Sequence, residues 1–162
     1  TIQAIKNNTK LELDDSLIEE IDINIGIACI IPETYLDDVH ERLILYKRIA
    51  SAENDSELKD LKIEMIDRFG LLPDATKNLF DSTSLRIFSK KIGIEKINIT
   101  DDKVEITLNQ KSTIEAKKII NLIQQQPQKY QLKNQNTLVF NDSMDEDSSR
   151  IERVKNLINQ LN

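Results

Sequence analysis

Four carboxylates recur along one stretch of the chain at the spacing of a single helix face. They are Glu57, Asp60, Glu64 and Asp67. At 100° per residue all of them fall within an arc of about 80°. Like charges three or four residues apart repel one another by a few tenths of a kcal/mol per pair, and a basic partner relieves that repulsion. The pattern leaves two alternatives: a face that docks on a basic protein surface, and a face that is only solvated.

Residues that usually perform catalysis or bind metals are sparse in this chain. His40 is the only histidine, Cys29 is the only cysteine, and the three glycines form no phosphate-binding loop. We interpret His40 as a partly packed structural residue and Cys29 as a core residue of an apolar strand. The acidic segment 142–147 lacks the spacing of a calcium loop and is interpreted as the first turn of a final helix. No catalytic, cofactor-binding or metal-binding residue is predicted, although a hydrolase or transferase stays open because a missing motif is not proof.

Composition limits the partners and the setting of the chain. Its 162 residues fit one domain, and its net charge of −6 lacks the basic footprint of a general nucleic-acid binder. A lone cysteine excludes an internal disulfide, and no apolar run is long enough to span a membrane. These features predict a cytoplasmic protein. We interpret the chain as a fragment of a longer protein, with residues 1–19 as a lead-in and residues 20–162 as one domain.

Hydrophobic periodicity places the four carboxylates on a helix. The pattern predicts a helix from about Ser56 to Phe69, with N-cap candidates at residues 54–56 and Gly70 as its C-terminal cap. Its inward face is a separate apolar stripe: Leu58, Leu61, Met65 and Phe69. A helix over 36–50 precedes it, with its own predicted inward stripe: Leu36, Val39, Leu43, Tyr46 and Ala50. The second helix therefore turns one face to the core and the other, with its carboxylates, away from it.

The remaining segments complete a mixed fold. Alternating isoleucines predict a strand over 21–27, and a third helix begins at Pro73 and ends at Gly93. A β-hairpin, a helix, a short strand and a final helix follow, at residues 94–108, 112–125, 138–140 and 151–161. Ser112 and Glu115 match a capping box at the start of the fourth helix. This order of elements predicts an α+β fold in which amphipathic helices pack on a small, mostly antiparallel sheet.

Several motifs of this chain resemble those of the C-terminal domain of bacterial transcription-repair coupling factors. They are Asp38-Val39-His40-Glu41-Arg42-Leu43, Tyr46-Lys47-Arg48-Ile49-Ala50, Asp67-Arg68-Phe69-Gly70-Leu71-Leu72-Pro73 and Gln126-Pro127-Gln128-Lys129-Tyr130. The resemblance covers residues from about 20 to 161 and is weakest at 100–112 and 141–149. It implies a non-enzymatic regulatory domain of an ATP-dependent DNA translocase, which removes stalled RNA polymerase and recruits excision repair. The ATPase of that family lies in preceding domains, to which residues 1–19 would connect.

The resemblance also implies a partner and a set of contact residues. In that family the C-terminal domain folds back on an N-terminal module similar to UvrB and hides the surface that recruits UvrA. The family's clamp carboxylates correspond to Glu64 and Asp67. The predicted protein-binding residues are therefore Glu57, Asp60, Glu64, Asp67 and Arg68. The isolated domain is expected to be a monomer, and the parent protein to bind RNA polymerase and DNA. The alternative function is an accessory nucleic-acid-binding domain, motivated by lysine pairs at 90–91 and 117–118.

Overall fold

A computed structural model describes residues 21–144 and 150–161. The elements in chain order are β1 (Asp22–Asn24), α1 (Val39–Ala50), α2 (Asp55–Phe69), α3 (Asp74–Ile92), β2 (Ile94–Ile99), β3 (Lys103–Leu108), α4 (Ala116–Gln125), β4 (Tyr130–Leu132), β5 (Thr137–Asn141) and α5 (Arg150–Leu161). The helices and the sheet form the α+β fold that the sequence predicts. The predicted lead-in, residues 1–19, and residues 145–147 of the predicted acidic segment lie outside the described residues.

Five strands form one mixed sheet in the order β1-β2-β3-β5-β4. Only β1 runs parallel to its neighbour, β2, and the other adjacent strands are antiparallel. The predicted hairpin is confirmed, with Ile99 opposite Val104 next to its turn. The strand predicted over 21–27 is wrong in length: it ends at Asn24, whose side chain accepts a hydrogen bond from the backbone N–H of Gly26 in a turn.

The long helix α3 connects two apolar cores. Its Phe80 packs in a core shared with α1 and α2. Farther along, Leu85 and Ile92 belong to a second core that includes the sheet and the inward face of α5. The α1–α2 pair is therefore anchored on α3, beside the core that holds the sheet. Among the described residues no helix is both long enough and apolar enough to cross a membrane.

The inward face of α1 differs from the prediction. Leu45 and Ile49 are buried, whereas Val39 and Leu43 are 61% and 53% exposed. This helix has two apolar stripes. The stripe with Leu45 and Ile49 packs against α2 and α3, and the predicted stripe with Val39 and Leu43 faces solvent. His40 lies about 180° round the helix from Ile49. It is accordingly exposed, and the prediction of a packed histidine is wrong.

Two further local predictions are corrected by tertiary contacts. Cys29 lies in a loop, half-buried, with its Sγ 3.4 Å from the carbonyl oxygen of Ile27. Burial raises the pKa of this thiol, and the charge of Asp81 raises it further. The fourth helix begins at Ala116 and has no capping box at Ser112. The segment before it instead pairs with the end of α3, where the N–H of Thr113 donates to the carbonyl of Ile92.

Candidate protein-docking site

The helix α2 begins and ends where its sequence predicts. The side chain of Asn54 caps its N terminus by accepting a hydrogen bond of 2.9 Å from the N–H of Glu57. Gly70 follows its last residue with φ of +96°, and its N–H donates to the carbonyl of Ile66. Three residues of the predicted inward stripe are buried, Leu58, Leu61 and Met65, and the fourth, Phe69, is partly buried against the same core. This packing holds the acidic side chains on the opposite surface.

Tyr35 holds the last turn of α2 in place. Its hydroxyl lies 2.7 Å from the carbonyl oxygen of Gly70 and 3.2 Å from that of Met65. The ring of Tyr35 also contacts Phe69 edge-on, with 6.1 Å between the ring centroids. The guanidinium of Arg68 lies 4.7 Å above the same Phe69 ring. These contacts restrict the turn that carries Asp67 and Arg68.

Glu64 belongs to an ion-pair network between α1 and α2. Arg48 donates hydrogen bonds of 2.5 and 2.9 Å to the two carboxylate oxygens of Glu64. Arg68 lies 3.6 Å from Glu64 and 3.4 Å from Glu41. The hydrogen bond from Arg48 is the main cause that lowers the pKa of Glu64, and the same bond raises the pKa of Arg48. The Glu64 carboxylate is therefore already shared within the domain.

Asp60 and Asp67 are in a different electrostatic situation. Both are exposed, and no hydrogen bond or salt bridge from another described residue reaches either carboxylate. Glu57 is also exposed, but its carboxylate accepts a hydrogen bond of 2.8 Å from the N–H of Glu53. The predicted residues thus share one surface of α2, where two aspartates are available to a partner and Glu64 is held by arginines. We call this surface, defined by Asp60, Glu64 and Asp67, the acidic face.

Sequence reasoning missed the α1 residues of this network, Glu41 and Arg48. A signal for them exists, because α1 and α2 are joined by only residues 51–54 and must be antiparallel neighbours. Each helix carries a glutamate followed by an arginine along the chain, Glu41 and Arg48 on α1 and Glu64 and Arg68 on α2. Antiparallel packing then brings Arg48 beside Glu64 and Glu41 beside Arg68.

Outside the acidic face, the described residues include a wide groove and a lysine pair at the end of α3. A groove of about 870 Å³ lies between β2, the loop before α4 and the end of α3, and neither His40 nor Cys29 lines it. In the described part of the chain no cluster of three metal-ligating side chains occurs. Lys90 and Lys91 lie in the last turn of α3, where positive charge complements the helix dipole.

The Arg48–Glu64 pair predicts a pH dependence of stability. Because the folded-state pKa of Glu64 is lowered, its stabilisation is fully present above the ordinary glutamate pKa of about 4.3 and is lost as the pH falls through the lowered value. At pH 7 we expect the free energy of unfolding of wild type to exceed that of Glu64→Gln by less than about 1 kcal/mol, because the pair is partly exposed. Urea unfolding of both proteins at pH 7 and below pH 4 measures this difference. A difference that is the same at both pH values would contradict the prediction.

Comparison with known protein families identifies the class of this domain. The family model of the TRCF domain matches residues 25–119, more than half of the chain, and the chain belongs to this family. The family that the motifs predicted is thereby confirmed.

The relatives of this chain are transcription-repair-coupling factors. Over 160 residues, 99% of the chain, it is 34% identical to that of Escherichia coli (strain K12) and 35% identical to that of Haemophilus influenzae. It spans 14% of the length of each of these relatives. Its fold is also similar to a crystal structure of the C-terminal domain of transcription-repair coupling factor, with a TM-score of 0.68 at 18% identity. That match covers 88% of this chain and 94% of the solved one, and at this identity it bears on the fold alone.

Proposed function

We propose that this chain is the non-catalytic regulatory domain at the C-terminal end of a transcription-repair coupling factor. Residues 20–162 form the domain, and residues 1–19 connect it to a preceding translocase domain. The domain acts as an autoinhibitory clamp, in which the acidic face docks on the N-terminal UvrB-like module of the same protein and masks UvrA recruitment. The longer protein is an ATP-dependent DNA translocase that binds RNA polymerase and DNA. Membership of the TRCF domain family and the match to transcription-repair-coupling factors support this proposal.

The observation that carries the clamp is the exposed Asp67 carboxylate on a well-anchored helix turn. No described residue pairs with it, and it lies one turn from Glu64. An arginine of the partner can donate two parallel hydrogen bonds to such a carboxylate. Because Tyr35 and Gly70 already hold this turn, docking loses less conformational entropy than docking of a mobile turn would.

The energetics of exposed ion pairs suit a reversible clamp. Each such pair stabilises by only about 0–1 kcal/mol. A contact within one chain benefits from a high effective concentration, so a few weak pairs are enough to keep it closed. A competing partner such as UvrA can still shift the equilibrium towards the open state.

The proposal is tested by the UvrA affinity of the longer protein that contains this chain. We expect the double variant Glu64→Gln/Asp67→Asn to bind UvrA several-fold more tightly, because the clamp opens more often. Urea unfolding of the isolated variant chain checks that the domain still folds. Glu95→Gln, which neutralises an exposed carboxylate on β2, is the matched control. Unchanged UvrA affinity in a folded double variant would contradict the clamp.

A further inference from the structure

We propose that Ile63, with Ile66 beside it, is the apolar anchor of the docking face, and that the partner surface places an apolar side chain between cationic ones. This inference rests on the proposed clamp and deepens it, since it assigns the contact that the ion pairs surround. It also specifies the chemistry of the partner: a basic surface with an apolar centre.

The helix α2 carries apolar side chains on two separate faces. Leu58, Leu61 and Met65 are buried against α1 and α3. Ile63 and Ile66 lie outside that stripe and are 49% and 38% exposed. One apolar stripe is sufficient for a helix that packs on a core. Single exposed apolar residues are ordinary, whereas two that are three residues apart on one helix form a continuous patch.

The neighbours of Ile63 define the partner. Asp67 follows it by four residues, about 40° round the helix, and Asp60 precedes it by three residues, about 60° round on the same side. These two aspartates are the acidic-face carboxylates that no other described residue pairs with. Along the helix axis Ile63 therefore lies between two negative charges. A complementary surface brings cations to both carboxylates and an apolar group to Ile63.

Burial of Ile63 strengthens the ion pairs beside it. An apolar contact at Ile63 that excludes water lowers the local dielectric constant. The attraction within each neighbouring carboxylate–cation pair is then stronger. Binding energy at protein interfaces concentrates in such central residues, while the surrounding contacts exclude water. The weak exposed pairs of the acidic face thereby become part of one cooperative contact.

The test compares Ile63→Ser with Ile120→Ser in the longer protein, with UvrA affinity as the readout. Ile120 lies on α4 and is 48% exposed, so the control removes the same side chain at the same exposure. Isoleucine and serine have similar helix propensities, so neither change is expected to unfold its helix. We expect Ile63→Ser to tighten UvrA binding about tenfold and Ile120→Ser to leave it unchanged. The effect of Ile63→Ser should persist at high salt, where that of Asp67→Asn fades.

The outcomes of this comparison distinguish failure of the anchor from failure of the clamp. If Asp67→Asn tightens UvrA binding and Ile63→Ser does not, the anchor is overturned and the clamp stands. If Ile63→Ser and Ile120→Ser have the same effect, the anchor is overturned as well. If none of the three substitutions alters UvrA affinity, both the anchor and the clamp are contradicted.

Discussion

Replacing Gly93 with alanine is expected to destabilise the domain by about 3–5 kcal/mol, measured as the loss of unfolding free energy in urea. Gly93 has φ of +88° and ends α3 in the left-handed conformation. A Cβ atom there would lie 2.3 Å from Cα and 2.6 Å from the backbone nitrogen of Ser112. Real Cβ atoms do not approach backbone so closely, so the segment before α4 must move.

That movement also breaks the hydrogen bonds that fix the segment. The N–H of Asn109 donates to the carbonyl of Gly93 at 2.8 Å, and that of Thr113 donates to Ile92 at 2.8 Å. The matched control is Gly70→Ala, because Gly70 has φ of +96° but no atom within 4 Å of the added Cβ. We expect Gly70→Ala to cost only the backbone strain, about 1–3 kcal/mol, because φ of +96° with ψ of −172° is a conformation that essentially only glycine adopts. Equal losses in the two variants would contradict the steric explanation.

Replacing Arg150 with methionine is expected to destabilise the domain by about 3 kcal/mol. The guanidinium is buried, and its side chain donates to the carbonyls of Met144 at 2.8 Å and Ile25 at 3.0 Å. It also pairs with Asp101 in the turn of the β2–β3 hairpin. Arg150 therefore joins the start of α5 to the chain after β1 and to the hairpin. Methionine fills similar space but leaves these carbonyls without the donor, which accounts for the cost.

Arg153→Met is the control for this prediction. Arg153 lies one turn later on α5, pairs with Asp142 and has a side chain that is 35% exposed. Water can replace its hydrogen bonds, so we expect a loss below about 1 kcal/mol. Chemical denaturation of both variants at neutral pH measures the two losses. If Arg150→Met costs no more than Arg153→Met, the buried guanidinium does not tie these segments together.

Local signals predicted the helix that carries the candidate site. The capping residue Asn54, the apolar stripe of α2 and Gly70 act within a few residues of one another, and all are confirmed. Interactions between distant segments were not predictable in the same way. The choice between the two apolar stripes of α1 depends on α2 and α3, and the start of α4 depends on the hydrogen bonds of its preceding segment to α3.

The charged contacts of the site likewise divide into local ones, which were predictable, and distant ones, which were not. Helical spacing alone placed Glu64 and Asp67 on one face. It did not indicate that Arg48 of α1 already holds Glu64, because that pair joins residues 16 positions apart. Nor did it indicate that Ile63 and Ile66 stay exposed, because burial depends on which face of α2 meets α3. The strand β4 was missed because its three residues, mostly polar or exposed, carry no clear periodicity.

Docking of the acidic face is tested most directly by mixing this chain with the separately produced N-terminal UvrB-like module. Titration calorimetry would compare wild type, Glu64→Gln/Asp67→Asn and the control Glu95→Gln. We predict measurable binding by wild type and by the control, and loss of binding by the double variant. Equal binding by all of them would show that the contact does not use these carboxylates and would contradict the proposed clamp.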